Sequence, residues 1–161
     1  MGEDVSSSLL SLYRRMTRWP GGHWMFARAI CFRAPYFSTI APRFVALESG
    51  RCEVRMRDRR RVHNHIGTVH AIALCNLAEL SAGVMAEATM PPGMRWIPKG
   101  MSVEYLSKAV GVMRAVATPE VPLAAGAAAG QEWPVLVQIT DSAGTAVFRA
   151  RITMWISPRK S

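Results

Sequence analysis

Disulfide chemistry has little to work with in this chain. Its three cysteines, Cys31, Cys52 and Cys75, are an odd number without metal-like pairing, which suits free thiols in a reducing compartment. Long apolar runs are also missing. The nearest to one, Thr68 to Ala86, is interrupted by His70, Asn76 and Glu79, each costly in hydrocarbon, so no membrane span is expected. Met1-Gly2-Glu3-Asp4 places acids where a secretory leader needs positive charge, and no apolar segment with a small-residue cleavage site follows. A cytoplasmic protein is therefore expected. Acids are the scarce charge: 11 Asp and Glu stand against 20 Lys and Arg, giving a formal charge of +9 carried mostly by arginine. Such a surface suits nucleic acid, an anionic membrane or a small polyphosphate ligand. Aromatic residues do not interleave with the densest basic run, Asp58-Arg59-Arg60-Arg61, as base stacking requires, so nucleic acid ranks last.

What is present is enough apolar material for a real core. With 161 residues, half of them hydrophobic, the chain is expected to form one domain, 1–161, made of an N-terminal helical extension over 1–38 and a strand-rich part over 40–157. Leu9, Leu10, Leu12, Tyr13 and Met16 give a first helix that Pro20-Gly21-Gly22 ends, and a second, His23 to Phe32, stops before Ala34-Pro35. The aromatic residues here, Trp19, Trp24, Phe26, Tyr36 and Phe37, suit core or interface packing, or a roof over a pocket. Phe44–Leu47 and Arg51–Arg57 read as a hairpin across Glu48-Ser49-Gly50. In the second of these strands charged and apolar residues alternate strictly, so its arginines belong to a solvated face.

After a long helix, strands are expected over about 99–106, 110–118, 134–140 and 145–156. Met101, Val103 and Tyr105 are expected to face the helix, and Asp141-Ser142-Ala143-Gly144 is the strongest hairpin signal in the chain. The segment 119–130 reads as a loop in which 123–129 forms at most one helical turn. The order of elements gives an α+β fold, a sheet curled round one helix.

Candidate chemistry concentrates in Asn64-His65-Ile66-Gly67-Thr68-Val69-His70-Ala71 and the apolar helix that follows, over about 68–86 with Thr68 as N-cap. Ala73, Leu77, Leu80 and Val84 form one core stripe; Cys75, Glu79, Ala82 and Ala86 form a second side of small residues round a lone acid. A carboxylate in an apolar helix invites two readings. Either it pairs with an arginine or reaches water at a helix edge, or it is a catalytic group serving a site built from the helix's N-terminal amides.

The spacing resembles the hotdog-fold acyl-CoA thioesterases, particularly the phenylacetate-pathway type: Asn64, a six-residue step to His70 with Ala71 after it, and Glu79 on the helix eight residues beyond Ala71. The resemblance covers roughly residues 40–157. It implies a hotdog fold, a curved antiparallel sheet wrapped round the central helix, with the N-terminal helices added. It implies an acyl-CoA or related thioester as substrate, no metal and no cofactor, and a homodimer or homotetramer with the site at the subunit interface. Carried over by position, Ala71 supplies an oxyanion N–H, Glu79 is general base or nucleophile, and Asn64 and His70 orient substrate or water. Gly67, Thr68, Ile72 and Cys75 would then line the substrate site. Arg59, Arg60 and Arg61 either meet coenzyme A phosphates or form an ordinary basic turn. Two departures stand out: Ala71-Ile72 replaces the family's Gly-Gly, and Glu79 stands where this branch more often has Asp. They keep open a non-catalytic acyl- or CoA-binding protein of the same fold.

Other constellations carry less. His63 and His65 with His70 lack the ligand spacing of a metal site and suit hydrogen-bonded loop histidines. Ser81 has no nucleophile-elbow context.

Overall fold

The computed structural model describes residues 8–123 and 130–159. Two helices, α1 (Ser8–Met16) and α2 (Gly22–Arg33), lead through a 3-10 turn (Pro35–Ile40) into the hairpin β1 (Arg43–Glu48) and β2 (Arg51–Met56). A short 3-10 turn at Arg60–Val62 precedes the long helix α3 (Ala71–Thr89), and β3 (Met94–Tyr105), β4 (Met113–Pro119), β5 (Gln131–Thr140) and β6 (Ala146–Pro158) follow. The strands form a single antiparallel sheet in the order β1-β2-β4-β5-β6-β3. This is the hotdog arrangement, with α3 held against the concave face.

Period-two alternation builds that face. Cys52, Val54 and Met56 of β2, Ala115 and Ala117 of β4, Val135, Val137 and Ile139 of β5, and Ile152, Met154 and Ile156 of β6 are all buried. The alanines let α3 approach closely, and α3 answers with Leu77, Ala78, Ala82, Met85 and Ala86, each fully enclosed. Leu10, Tyr13 and Phe26 from the N-terminal helices join the same core, with Phe26 edge-on to both Tyr13 and Phe44 at 5.0 Å. Only α3, among the described helices, is long and apolar enough to cross a membrane, and 67% of that window is buried in the protein, as a core helix requires.

Several expectations change in three dimensions. The central helix starts later and runs further, Ala71–Thr89, and its N-cap is His70 rather than Thr68. Ala82 and Ala86 lie under the sheet, so the small-residue side is open only round Cys75 and Glu79. The third strand begins at Met94, because Pro98 and Gly100, which broke the sequence pattern, fall on an edge strand that tolerates a missing donor and a bulge. Of Met101, Val103 and Tyr105, Val103 packs against the core as expected, while Met101 and Tyr105 are exposed because β3 lies at the sheet's rim, although the Tyr105 hydroxyl still reaches Cys75 of α3. The fourth strand starts at Met113, and Val110 and Val112 before it are exposed. The turn expected over 123–129 falls, apart from Leu123, outside the described residues.

The alternation of β2 also hides a buried acid. Glu53 is 5% exposed on the face expected to be solvated. Arg114 of β4 donates to it through both Nε and Nη2 at 2.7 Å, and Arg51 donates at 2.9 Å. These hydrogen bonds, Arg114's foremost, outweigh burial and hold the carboxyl below its ordinary value of 4.5. A depressed folded-state pKa contributes stability that is complete above 4.5 and fades as the pH falls below it. Glu53→Gln is therefore expected to cost about 2 kcal/mol in urea unfolding at neutral pH, less than the roughly 3–5 of a fully buried pair because Arg114 keeps much of its water. The gap between the two proteins should narrow as the pH is taken below 4.5.

Candidate active site at the start of the central helix

The loop before α3 is tied on every side. Asn64 Oδ1 accepts from the amides of Ile66 and Thr68, both at 3.1 Å, and Asn64 Nδ2 donates to Thr68 Oγ1 at 2.8 Å. Gly67 takes a left-handed conformation, φ 79°, which favours glycine at this turn. The Val69 amide donates to Ala109 O at 2.9 Å and the His70 amide to Val62 O at 2.8 Å. Asp58 fastens the neighbouring loop by accepting from the Gly111 amide at 2.6 Å and from His63. Burial raises the Asp58 carboxyl, yet the bonds from His63 and Gly111 overcome this and leave it below its ordinary value. His63 thus belongs to a structural brace.

These ties deliver His70 to the helix N-terminus in extended conformation, φ −65° and ψ 139°. Its Nδ1 accepts from the Ile72 amide at 3.0 Å, and its carbonyl accepts from Ala73 and Leu74. The Ala71 amide is left without a partner among the described residues, as the first N–H of a helix is when no cap reaches it. Of the four residues expected to carry the chemistry, three meet here: Ala71 offers a free donor, His70 caps the helix, and Asn64 braces the loop. Asn64→Ala should lower stability by about 1–2 kcal/mol through the lost loop bonds. If its part is to position the Ala71 amide, turnover should fall while KM holds.

Glu79 stands apart from this group. It is exposed and has no hydrogen-bond or ion-pair partner among the described residues. Eight residues of helix place it about 12 Å along the axis from Ala71, too far for both to meet one carbonyl within a single chain. The carboxylate instead borders a cavity of about 1090 Å³ between α3 and the N-terminal helices. Leu9 and Leu12 of α1, Ile30 of α2, Phe37, Leu80 and Val84 supply its apolar lining. Gly83 lets Trp96 close in, since a Cβ there would lie 3.0 Å from the indole, and Trp96 Nε1 donates to Glu87 at 2.8 Å. Sequence reasoning missed this cavity, although Glu79, Gly83 and Glu87 at one-turn spacing on a single helix side were a readable signal.

The remaining candidates divide. Ile72 is 54% exposed, and Cys75 Sγ lies 3.4 Å from Tyr105 Oη on the edge strand. That hydrogen bond, aided by burial, raises the Tyr105 hydroxyl above its ordinary pKa. Gly67 is exposed and Thr68 half-buried in the loop. Arg59 turns inward, Nη2 donating to Thr39 O at 3.2 Å, while Arg60 and Arg61 are exposed. Arg59 is thereby engaged with the protein's own backbone, and its neighbours alone face outward.

A long helix cradled by a six-stranded antiparallel sheet, with loop and helix meeting at a free amide, defines a hotdog protein. The chain belongs to the family described as a domain of unknown function, DUF4442, whose model matches residues 22–156. A structural-genomics crystal structure, APC5556, is 45% identical over 94% of this chain and 99% of its own, with a TM-score of 0.79. The Pseudomonas aeruginosa protein PA5026, named a probable thioesterase, is 24% identical over 84% of this chain and 95% of its own, with a TM-score of 0.73. A thioesterase family protein from Silicibacter pomeroyi is 18% identical over 83% of this chain and 96% of its own, with a TM-score of 0.70. No curated protein matches the sequence.

Proposed function

We propose that this protein is an acyl-CoA thioesterase whose active site forms between two copies of the chain. The observation that carries the reading is the pairing of an unpartnered helix-terminal amide at Ala71 with an unpartnered carboxylate at Glu79, on a fold shared with proteins named thioesterases. The amide would hold the carbonyl oxygen as it gains charge, where a fixed donor is worth more than mobile water. Glu79 would take a proton from a water that adds to the carbonyl, or attack the carbonyl itself to give a mixed anhydride that a water then hydrolyses. On either route the C–S bond breaks and the proton given up by water goes to the departing thiolate. Exposed Arg60 and Arg61, in the loop before α3, would offer the coenzyme A phosphates a basic surface.

Two copies resolve the 12 Å gap. β3 ends the sheet with an open edge bearing exposed Ile97, Met101 and Tyr105, and a second β3 added across a two-fold axis would continue the sheet. The two α3 helices would then run antiparallel. Antiparallel helices would set the Ala71 end of one chain towards the Glu79 end of the other, so that the amide and the partner subunit's Glu79 would serve one carbonyl. The acyl chain would enter the apolar cavity beside that Glu79.

A screen of free-thiol release over a panel of acyl-CoA esters of differing chain length tests the reading, and hydrolysis of none would reject it. The exposed Ile72 directly after Ala71, in place of a second glycine, favours a second reading, a protein that binds acyl-CoA without turning it over. Thermal stabilisation by acyl-CoA with no thiol released would select it.

A further inference from the structure

Residues 8–40 contain Arg14, Arg15, Arg18, Arg28 and Arg33 and no aspartate or glutamate. All five arginines are exposed. The same segment exposes large aromatic side chains to a degree seen nowhere else in the described residues: Trp19 is 72% exposed, Trp24 68%, Phe32 91% and Tyr36 66%. Scattered exposed apolar residues are ordinary, but four aromatics within eighteen positions are not. α2 explains the geometry. It is apolar on both sides: Phe26, Ala27 and Cys31 enter the core, while Trp24, Arg28 and Phe32, at one-turn spacing, lie on the opposite side with Met25 beside them.

We propose that the outer face of α1 and α2 is a docking surface for an anionic lipid bilayer. Tryptophan, tyrosine and phenylalanine settle at the boundary between headgroups and acyl chains, and arginines beside them keep their guanidinium groups at the phosphates while their stems stay in apolar surroundings. Charge complementarity selects this occupant. A second copy meeting the same face about a two-fold axis would set five arginines against five with no acid of the segment between them. A negative lipid surface instead gains from each arginine that reaches it. Arg15 and Arg33 also line the cavity beside Glu79, so the docking face and the cavity share a rim.

Flotation of the full chain with phosphatidylcholine vesicles, with and without phosphatidylglycerol, tests the proposal. Binding is expected only with the anionic lipid, weakening as salt is raised, with tryptophan emission shifted to the blue. Phe32→Ser and Arg28→Glu, both at exposed positions, should each reduce partitioning by about tenfold or more while circular dichroism and thermal midpoint stay unchanged. No flotation with anionic vesicles at low salt, or equal flotation by wild type and both variants, overturns it. So does a result in which these substitutions leave vesicle binding intact and abolish concentration-dependent assembly, pointing to a second copy, or oligonucleotide retention, pointing to nucleic acid.

Discussion

Ala71→Pro is expected to lower kcat for thioester hydrolysis by about 100- to 1,000-fold while leaving the helix in place. Proline removes the amide hydrogen and nothing else that this position uses. At the first position of a helix its fixed φ is already suitable, and no intrahelical bond is lost. Proline also constrains the residue before it to extended backbone, and His70 already has φ −65° and ψ 139°. The His70 cap on the Ile72 amide therefore survives. Thermal midpoint and circular dichroism should match wild type, which separates loss of an oxyanion donor from loss of the fold. Turnover within a few-fold of wild type would remove this amide from the mechanism.

Glu79→Gln should slow hydrolysis by about 100- to 10,000-fold, the range in which a general base contributes, and more if the carboxylate is the nucleophile. The side chain is exposed and makes no contact that the amide would break, so stability should be unaffected. The two variants together decide where the site lies. If Ala71 of one subunit works with the partner subunit's Glu79, a heterodimer of Ala71→Pro and Glu79→Gln chains regains one intact site of its two. Refolding an equal mixture should then recover about a quarter of wild-type activity, because heterodimers make up about half of a random mixture. A site contained in one chain predicts that the mixture stays as inactive as its parts.

The N-terminal arm is where the helical reading and the functional reading separate. Leu10, Tyr13 and Phe26 were legible as apolar positions and do enter the core, but Trp24 and Phe32 carry the same hydrophobic signal and stay outside. Periodicity reports that a residue is apolar; only packing determines whether a neighbour exists to cover it. Glu53 is the converse. A charged residue in an alternating strand reads as solvated, and Arg114, sixty-one positions away, makes its burial possible.

Taken alone, the sequence determined the order of elements, the hairpins at Gly50 and Gly144 and the start of the central helix to within a few positions, because capping and turn geometry act over a few residues. The resemblance to hotdog thioesterases grouped Asn64, His70, Ala71 and Glu79 as one candidate set. Tertiary structure decided which of them meet. The loop is pinned by Val62 and Ala109 from segments the spacing does not reveal, and the rigid rise of an α-helix holds Ala71 and Glu79 about 12 Å apart. A linear motif states which groups are available; distance through space, here about 12 Å along the helix axis, decides which of them stand together in one chain.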